Sequence, residues 1–298
     1  MVDRTPDLHT HSNASDGTLS PAALVARAAE SGVRMLALTD HDTTAGLADA
    51  AAAAAGLGVL LVPGVEISVT WDRRTLHIVG LGVDSDCRVL QGGLLQQRAF
   101  RNWQAKEIGT RLARTGIAGA HAGALALSSG DSVGPIHFAR FLTGRELAST
   151  EREAVKRYLV RGTPGYVPGD WARLETAMEW IRAAGGQAVI AHPGRYALAP
   201  EYLRALLGEF RELGGVAIEV VSGNHSLEDT IFFARASALY AFWASAGSDF
   251  HGPGLAPPEE LSAELGRLPA LPLGCTPIWA SALLPIPKEH GAMPEESA

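Results

Sequence analysis

Short apolar runs alternate with capped helical stretches on both sides of a helical middle, and that rhythm leaves few folds open to this chain. Ser20-Pro21 opens a helical stretch that ends at Gly32, with a serine N-cap, proline at the first helical position and glycine past the end. Val33 to Thr39 then reads as a buried strand, Thr44 to Ala55 as a helix stopped by Gly56, and Val59 to Pro63 as the next strand. Glu66 to Trp71 and Thr75 to Gly82 flank Asp72-Arg73-Arg74, which predicts a local hairpin interrupting parallel βα order. The rhythm returns with helices over 174–184, 201–213 and 226–239 and strands over 187–191, 216–221 and 243–247. An α/β architecture is expected, with polar residues gathered at strand ends.

From about residue 94 to 170 the pattern is helical without convincing strands, as in HFARFLTG and STEREAVKRYLVRG, so 94–170 is expected to be a helical insertion lobe. The α/β unit is then discontinuous, over 1–93 and 171–285, and 286–298 is a Pro-, Glu- and Ser-rich tail expected to fray. With 298 residues, 47% of them hydrophobic, the chain can bury a substantial core. A net charge of -7 provides no basic field for long nucleic acid, and a small anionic ligand would need local cations. Two cysteines, Cys87 and Cys275, can form neither a disulfide framework nor a four-thiolate zinc site, which favours a reducing cytoplasm. No apolar run reaches membrane-spanning length, so no membrane partner is expected.

The ten histidines are unevenly placed, and their placement carries the chemistry. In Asp7-Leu8-His9-Thr10-His11, strand alternation puts Asp7, His9 and His11 on one face, and two imidazoles two residues apart can reach one metal. Asp16 sits in a Ser-Asp-Gly loop able to turn its carboxylate back to the same strand end. Thr39-Asp40-His41-Asp42 follows a buried strand directly. Glu66 lies on one arm of the predicted hairpin and His77 on the other, within reach of a common cation. His192-Pro193 ends one strand, and Asp249-Phe250-His251 ends another. His9, His11, Asp16, His41, Glu66, His77, His192, Asp249 and His251 are too many ligands for one ion. Imidazole and carboxylate without thiolate suit Mn, Fe or Zn, and a bridging carboxylate could hold two ions at the spacing phosphoryl chemistry uses. Asp40 and Asp42 are expected to orient imidazoles rather than ligate. His121 and His290 have no motif around them and read as surface residues; Trp103, Trp171 and Trp180 read as packing residues.

In order along the chain, DLHTHS, SDG, TDHD, GVEIS, HIVGL, AHPGRY and GSDFH resemble the signature segments of the PHP family, named for polymerase and histidinol phosphatase. The resemblance implies a distorted (β/α)7 barrel with metals at the C-terminal ends of its strands. It places one metal on His9, His11, Glu66 and Asp249, a second on Glu66, His77 and His192, and a third on Asp16, His41 and His251. Two or three divalent ions are implied, manganese first, with iron and zinc as alternatives.

Within that family the insertion, AHPGRY and EVVSGNHS resemble the nucleoside 3',5'-bisphosphate phosphatase branch, whose members also trim short 5'-phosphorylated RNA. This implies hydrolysis of a phosphate monoester, the 3'-phosphate of compounds such as pAp to give AMP. It also implies substrate contacts from His137, Arg195, Ser222, Asn224 and His225; Arg195 is expected on the phosphoryl oxygens, and either a metal-bound water or His225 as proton donor. Two positions depart from the branch: Pro135-Ile136-His137 stands where Arg-Pro-His is common, and Thr163-Pro164 where a lysine precedes the proline. Both remove cations that could hold a non-reacting phosphate, unless Arg140 or Arg161 compensates. A histidinol-phosphate-type or other small-molecule phosphatase is the alternative within enzymes, and a non-catalytic metal- or nucleotide-binding module the alternative outside them.

Overall fold

A computed structural model describes residues 6–129, 133–255, 261–281 and 284. Strand β1 (Pro6–Thr10) leads to helix α1 (Pro21–Glu30), where the Ser20 side chain accepts from the Ala23 amide at 3.2 Å and Leu24, Val25 and Ala28 form the buried stripe. Strand β2 (Met35–Leu38) and helix α2 (Leu47–Ala55) follow, and the outer faces of these elements share one core with Phe250.

The next strand, β3, runs unbroken from Leu60 to Trp71, so the two segments expected on either side of Pro63-Gly64 are one strand. An added Cβ at Gly64 would press on Thr39 and the Leu38 carbonyl, so the strand passes β2 closely at this point. Asp72 and Arg73 turn β3 into β4 (Arg74–Leu81) with φ of 42° and 60°, both left-handed as a type I′ hairpin turn requires.

Beyond β4 come helices α3 (Arg88–Arg114), α4 (Ala120–Ala126), α5 (Pro135–Gly144) and α6 (Glu151–Ala154), the last continuing as a π-helical turn over Val155–Leu159. A two-residue strand β5 (Ala172–Arg173) then pairs with β3, and the βα order resumes. It comprises α7 (Leu174–Ala183), β6 (Gln187–Ile190), α8 (Pro200–Glu212), β7 (Ala217–Ser222), α9 (Leu227–Leu239) and β8 (Trp243–Gly247).

The sheet order is β1-β2-β3-β4-β6-β7-β8, parallel throughout except β4, which is antiparallel to β3 and β6. The ends meet just past β8. The Asp249 amide donates to the His9 carbonyl and the His11 amide to the Phe250 carbonyl, each at 2.9 Å. Seven strands thus make a nearly closed, distorted α/β barrel, in which Leu8, Met35, Ala37, Val62, Val79, Val189 and Ala217 pack together. His77, near the start of the reversed β4, lies at the same barrel end as the C-termini of the parallel strands.

Helix α3 crosses the expected domain boundary at residue 94. Its first turns pack Leu90 and Leu94 into the barrel core, with Gly93 flush on the Trp180 ring, whereas Ala105, Ile108 and Leu112 join α4 and α5 in a separate core. At 27 residues it spans roughly 40 Å, long enough to belong to both. Midway along it, Arg101 pairs with Asp42 and donates to Ser68 Oγ at 2.9 Å, all three buried. The tail over 286–298 and His290 lie outside the described residues.

Removing one partner of a buried ion pair leaves the other charge uncompensated. Arg101→Met is therefore expected to lower the unfolding free energy by about 3–5 kcal/mol, read from the urea midpoint at unchanged m value. A loss below about 1 kcal/mol, the range of exposed pairs, would show that this pair does not tie the helix to the barrel.

Candidate metal centre

Glu66 is fully buried on β3, and five imidazoles from four segments converge on its carboxylate. His41 Nδ1 and His77 Nδ1 stand 2.9 Å away, His192 Nε2 at 3.0 Å, and His9 Nε2 and His11 Nε2 at 3.3 Å. Asp249 Oδ1 lies 3.1 Å from His11 Nε2 and 3.5 Å from His9 Nε2. Asp16 sits on the far side, 3.4 Å from His251 Nε2 and 3.7 Å from His41 Nε2.

Among the described residues, three sets could each hold an ion: His9, His11, Glu66 and Asp249; His11, Asp16, His41 and His251; and His41, Glu66 and His77. The structure brings all nine expected residues to one barrel mouth, where donor distances also allow groupings beyond the family pattern. His11 also belongs to the Asp16 set, and His41 joins Glu66 and His77. His192 stands outside the third set while still contacting Glu66.

Asp7 does not join them. The β1–β2 register shifts between Asp7 and Thr10, which breaks the simple alternation, and Asp7 Oδ1 instead accepts from the Ser248 amide at 2.8 Å. Burial pushes its carboxyl up to about 7.

Asp40 and Asp42 also differ from expectation: they hold backbone and hydroxyls, not imidazoles. Asp40 accepts from the Ser12 amide, Ser12 Oγ and Ser15 Oγ at 2.6 to 2.8 Å, which folds the Ser-Asp-Gly loop back so that Asp16 faces His11. Asp42 accepts from the Ser68 amide at 3.0 Å. Three non-glycine residues here adopt positive φ: Asp42 at 53°, His192 at 28° and Asp249 at 56°. Each is held by a hydrogen bond from its backbone amide, donated to the Glu66 carbonyl, a Glu219 carboxylate oxygen and the His9 carbonyl respectively. Strain of this kind persists where surroundings over-determine it, and at His192 and Asp249 it aims side chains into the mouth.

The charges divide the cluster. Burial, helped by neighbouring His251, pushes His11 down to about 3, and burial lowers His77 to about 4, so both offer lone pairs. Burial opposes charging of His251 too, yet Asp16 and Asp249 bring it up to about 9. Burial would raise Asp16, Glu66 and Asp249, but the surrounding imidazoles hold all three well below the usual carboxylate range. The carboxylates demand positive charge at one spot. Six buried cluster atoms, namely His9 Nε2, His11 Nδ1, His41 Nδ1, Glu66 Oε2, His77 Nδ1 and His192 Nδ1, make no hydrogen bond. Leaving such atoms unsatisfied costs about 1–3 kcal/mol each. Imidazole and carboxylate donors left open toward a common centre fit divalent first-row ions.

The expected substrate residues are placed unequally. Arg195 follows His192 in a 3-10 turn, is 57% exposed, and donates from Nη1 to Asp249 Oδ2 at 3.2 Å. Ser222 Oγ, at the last residue of β7, and Asn224 Oδ1, two residues beyond, are buried without a hydrogen-bond partner. His137 is buried at the start of α5 and its Nδ1 accepts from the Gly134 amide.

His225 faces the backbone at both ring nitrogens. Its Nε2 accepts from the Gly194 amide and its Nδ1 donates to the Val220 carbonyl, both at 3.1 Å, and burial lowers its pKa. Both ring nitrogens are spent holding the turn that carries Arg195. Arg140 is not a spare cation either, since it donates to the Asp16 carbonyl at 2.8 Å and pairs with Glu151.

Sequence reading passed over Glu219 and Tyr196. Glu219 Oε1 lies 2.6 Å from His9 Nδ1, and Tyr196 Oη accepts from the His77 amide at 2.8 Å. The available signal for Glu219 was a lone carboxylate inside the apolar strand AIEVV, which cannot be buried without partners.

A PHP domain profile matches residues 7–189. The chain is 45% identical over 274 residues to a 3',5'-nucleoside bisphosphate phosphatase of Chromobacterium violaceum, covering 92% of this chain and 94% of that one. It is 44% identical over 275 residues to the 5'-3' exoribonuclease Rnm of Escherichia coli K12, covering 92% of each. A solved protein of Bifidobacterium adolescentis described as a metal-dependent phosphoesterase superposes with a TM-score of 0.76 at 25% identity, over 89% of this chain and 96% of that one. Fold and site together define a metal-dependent phosphoesterase. The chain belongs to the PHP domain family.

Glu66→Gln removes the charge on which five imidazoles converge. Metal bound per chain, measured by elemental analysis, should fall, and phosphate release should drop at least about a hundredfold, beyond the effect of indirect changes to a metal site. Full metal content with near-normal turnover would remove Glu66 from the metal centre.

Proposed function

We propose that this phosphoesterase hydrolyses a phosphate monoester of a nucleotide, with the 3'-phosphate of nucleoside 3',5'-bisphosphates as first target and the terminal phosphodiester of short 5'-phosphorylated oligoribonucleotides as second. The observation that carries this reading is the convergence of nine ligand-type residues on one barrel mouth, with Glu66 at its centre. The named activities of the two relatives, a bisphosphate phosphatase and an exoribonuclease, supply the substrate class. We assign His9, His11, Asp16, His41, Glu66, His77, His192, Asp249 and His251 as metal ligands, and manganese as the working ion. When bound, divalent ions supply Lewis acidity toward a phosphoryl oxygen.

The chain's own residues then divide the remaining work. Arg195 spends one N–H on Asp249, which orients the guanidinium across the mouth and leaves other donors for nonbridging phosphoryl oxygens. Ser222 and Asn224 present buried polar atoms whose missing partners a ribose or phosphate can provide. His225 fixes the Arg195 turn through the Gly194 amide. The helical segment reaches the mouth through the Arg140 contact to Asp16, so α5 borders the substrate, and we read that segment as the lobe that selects it. The two unpaired cysteines, Cys87 and Cys275, fit the reducing cytoplasm in which we place the protein.

One observation favours a second reading, a substrate with a single phosphate. Pro135 is exposed at the first position of α5 where the branch carries arginine, Thr163 Oγ donates to the Val160 carbonyl where it carries lysine, and Arg140 is already engaged. A charge-assisted hydrogen bond contributes about 1.5–3 kcal/mol, or roughly ten- to a hundredfold in affinity.

Assaying a nucleoside bisphosphate, the matching monophosphate, histidinol phosphate and a short 5'-phosphorylated oligoribonucleotide side by side, with Mn and after chelation, tests the assignment. The bisphosphate should be preferred over the monophosphate only modestly. Pro135→Arg should lower KM for the bisphosphate about tenfold, at the low end of that range, and leave an aryl phosphate unchanged. Preference for histidinol phosphate, or turnover that survives chelation, would overturn the proposal.

A further inference from the structure

We infer that Glu219 is the positioning residue that aims His9 at the metals and ties His9 and His192 into one rigid pair across the barrel seam. The inference rests on the metal assignment above and goes beyond it to a residue outside the ligand set.

Glu219 lies mid-strand in β7 and is 1% exposed. Its Oε1 lies 2.6 Å from His9 Nδ1, and its Oε2 accepts from the His192 amide at 2.7 Å. An ionised carboxylate only accepts, so His9 Nδ1 carries the proton whether the ring is neutral or charged. The other ring nitrogen, His9 Nε2, is thereby turned toward Glu66 at 3.3 Å and Asp249 at 3.5 Å, where it makes no hydrogen bond. A carboxylate fixing one imidazole nitrogen so that the other faces a metal is the arrangement that orients such ligands generally.

The topology makes this reach unusual. His9 is on β1 and Glu219 on β7, with β8 between them in the sheet. The carboxylate passes β8 beside Gly247, where an added Cβ would stand 3.1 Å from Glu219 Oε1 and collide with His9 Cβ. Glycine at 247 keeps the passage open. On its other side Glu219 holds the amide of His192, a residue at φ 28° whose ring lies 5.5 Å from that of His9 at an interplanar angle of 25°. His9 and His192 each touch Glu66 through Nε2 and Glu219 through another nitrogen, so two glutamates clamp two histidines from opposite sides.

Glu219→Gln removes the charge and gives the His192 amide a donor to face in one of its two orientations. Competition against a chromogenic chelator should show Mn and Zn binding weakened by about ten- to a hundredfold, the cost typical of losing such a partner. In the Zn-loaded, 15N-histidine-labelled wild-type chain, His9 should show a low-field, slowly exchanging Nδ1 proton, and this one imidazole signal should move upfield or vanish in Glu219→Gln. Glu219→Asp, one methylene shorter, should recover part of the affinity. Because the wild-type spectrum needs no variant, a poorly folding substitution does not shield the inference: a His9 that carries its proton on Nε2 overturns it. Metal affinity within twofold of wild type in a folded Glu219→Gln chain, with the His9 signal unmoved, also overturns it while leaving the metal assignment intact. A wild-type chain that takes up neither Mn nor Zn would instead bring down the metal assignment and the inference with it.

Discussion

A carboxylate removed from water inside a protein core must be met by positive charge or hydrogen-bond donors, and Glu66 is such a group. The rest of the barrel mouth follows from that requirement. Five histidines reach Glu66 from β1, its extension, β4 and the ends of β2 and β6, and no single segment could supply them. The antiparallel β4 is part of the same solution. A parallel strand in that position would bring its side chains to the mouth only at its C-terminal end, whereas the two-residue turn at Asp72-Arg73 returns His77 directly opposite Ser68, close beside Glu66.

The seam where β8 meets β1 is the second place where architecture and chemistry coincide. It is closed by backbone bonds at His9 and His11, by Asp7 accepting from Ser248, and by Glu219 reaching past Gly247. Every one of these contacts involves a residue in, or next to, the ligand set. Closing the barrel and assembling the site are therefore one event, because ligands on β1 and past β8 come within reach of one ion only when the seam closes. Helix α3 adds a further tie, since its Arg101 neutralises Asp42 immediately after His41. The helical segment is thus fastened to the residue beside a ligand and, through Arg140, to the carbonyl of another.

Much of this was legible in the sequence because it is local. Ser20-Pro21 before a helix, a two-residue turn between two apolar arms, and histidines two apart at a strand end all express rules that act within a few residues. The break in alternation at Asp7 was not legible, since a register shift arises from pairing with β2 and leaves no mark on β1 alone. The single run of β3 through Pro63-Gly64 was hidden for a similar reason: proline and glycine read as punctuation until neighbouring strands make room for them. Helix α3 spans the boundary expected at 94 because a helix can serve two cores in succession, and a change of rhythm marks only where strands stop.

The sequence by itself determined which side chains have the chemistry of metal ligands and that several of them follow the ends of strands, because residue chemistry and short-range periodicity are properties of contiguous segments. Only the tertiary structure decided how they are shared. His41 falls in with Glu66 and His77, His225 spends both ring nitrogens on the backbone, and Arg140 is committed to Asp16. Glu219, the first letter of EVVSGNHS and given no role of its own there, becomes the partner of a histidine 210 positions away. Hydrogen-bonding capacity is finite, and which partner takes each lone pair is settled by distances of about 3 Å that exist only once the barrel has closed.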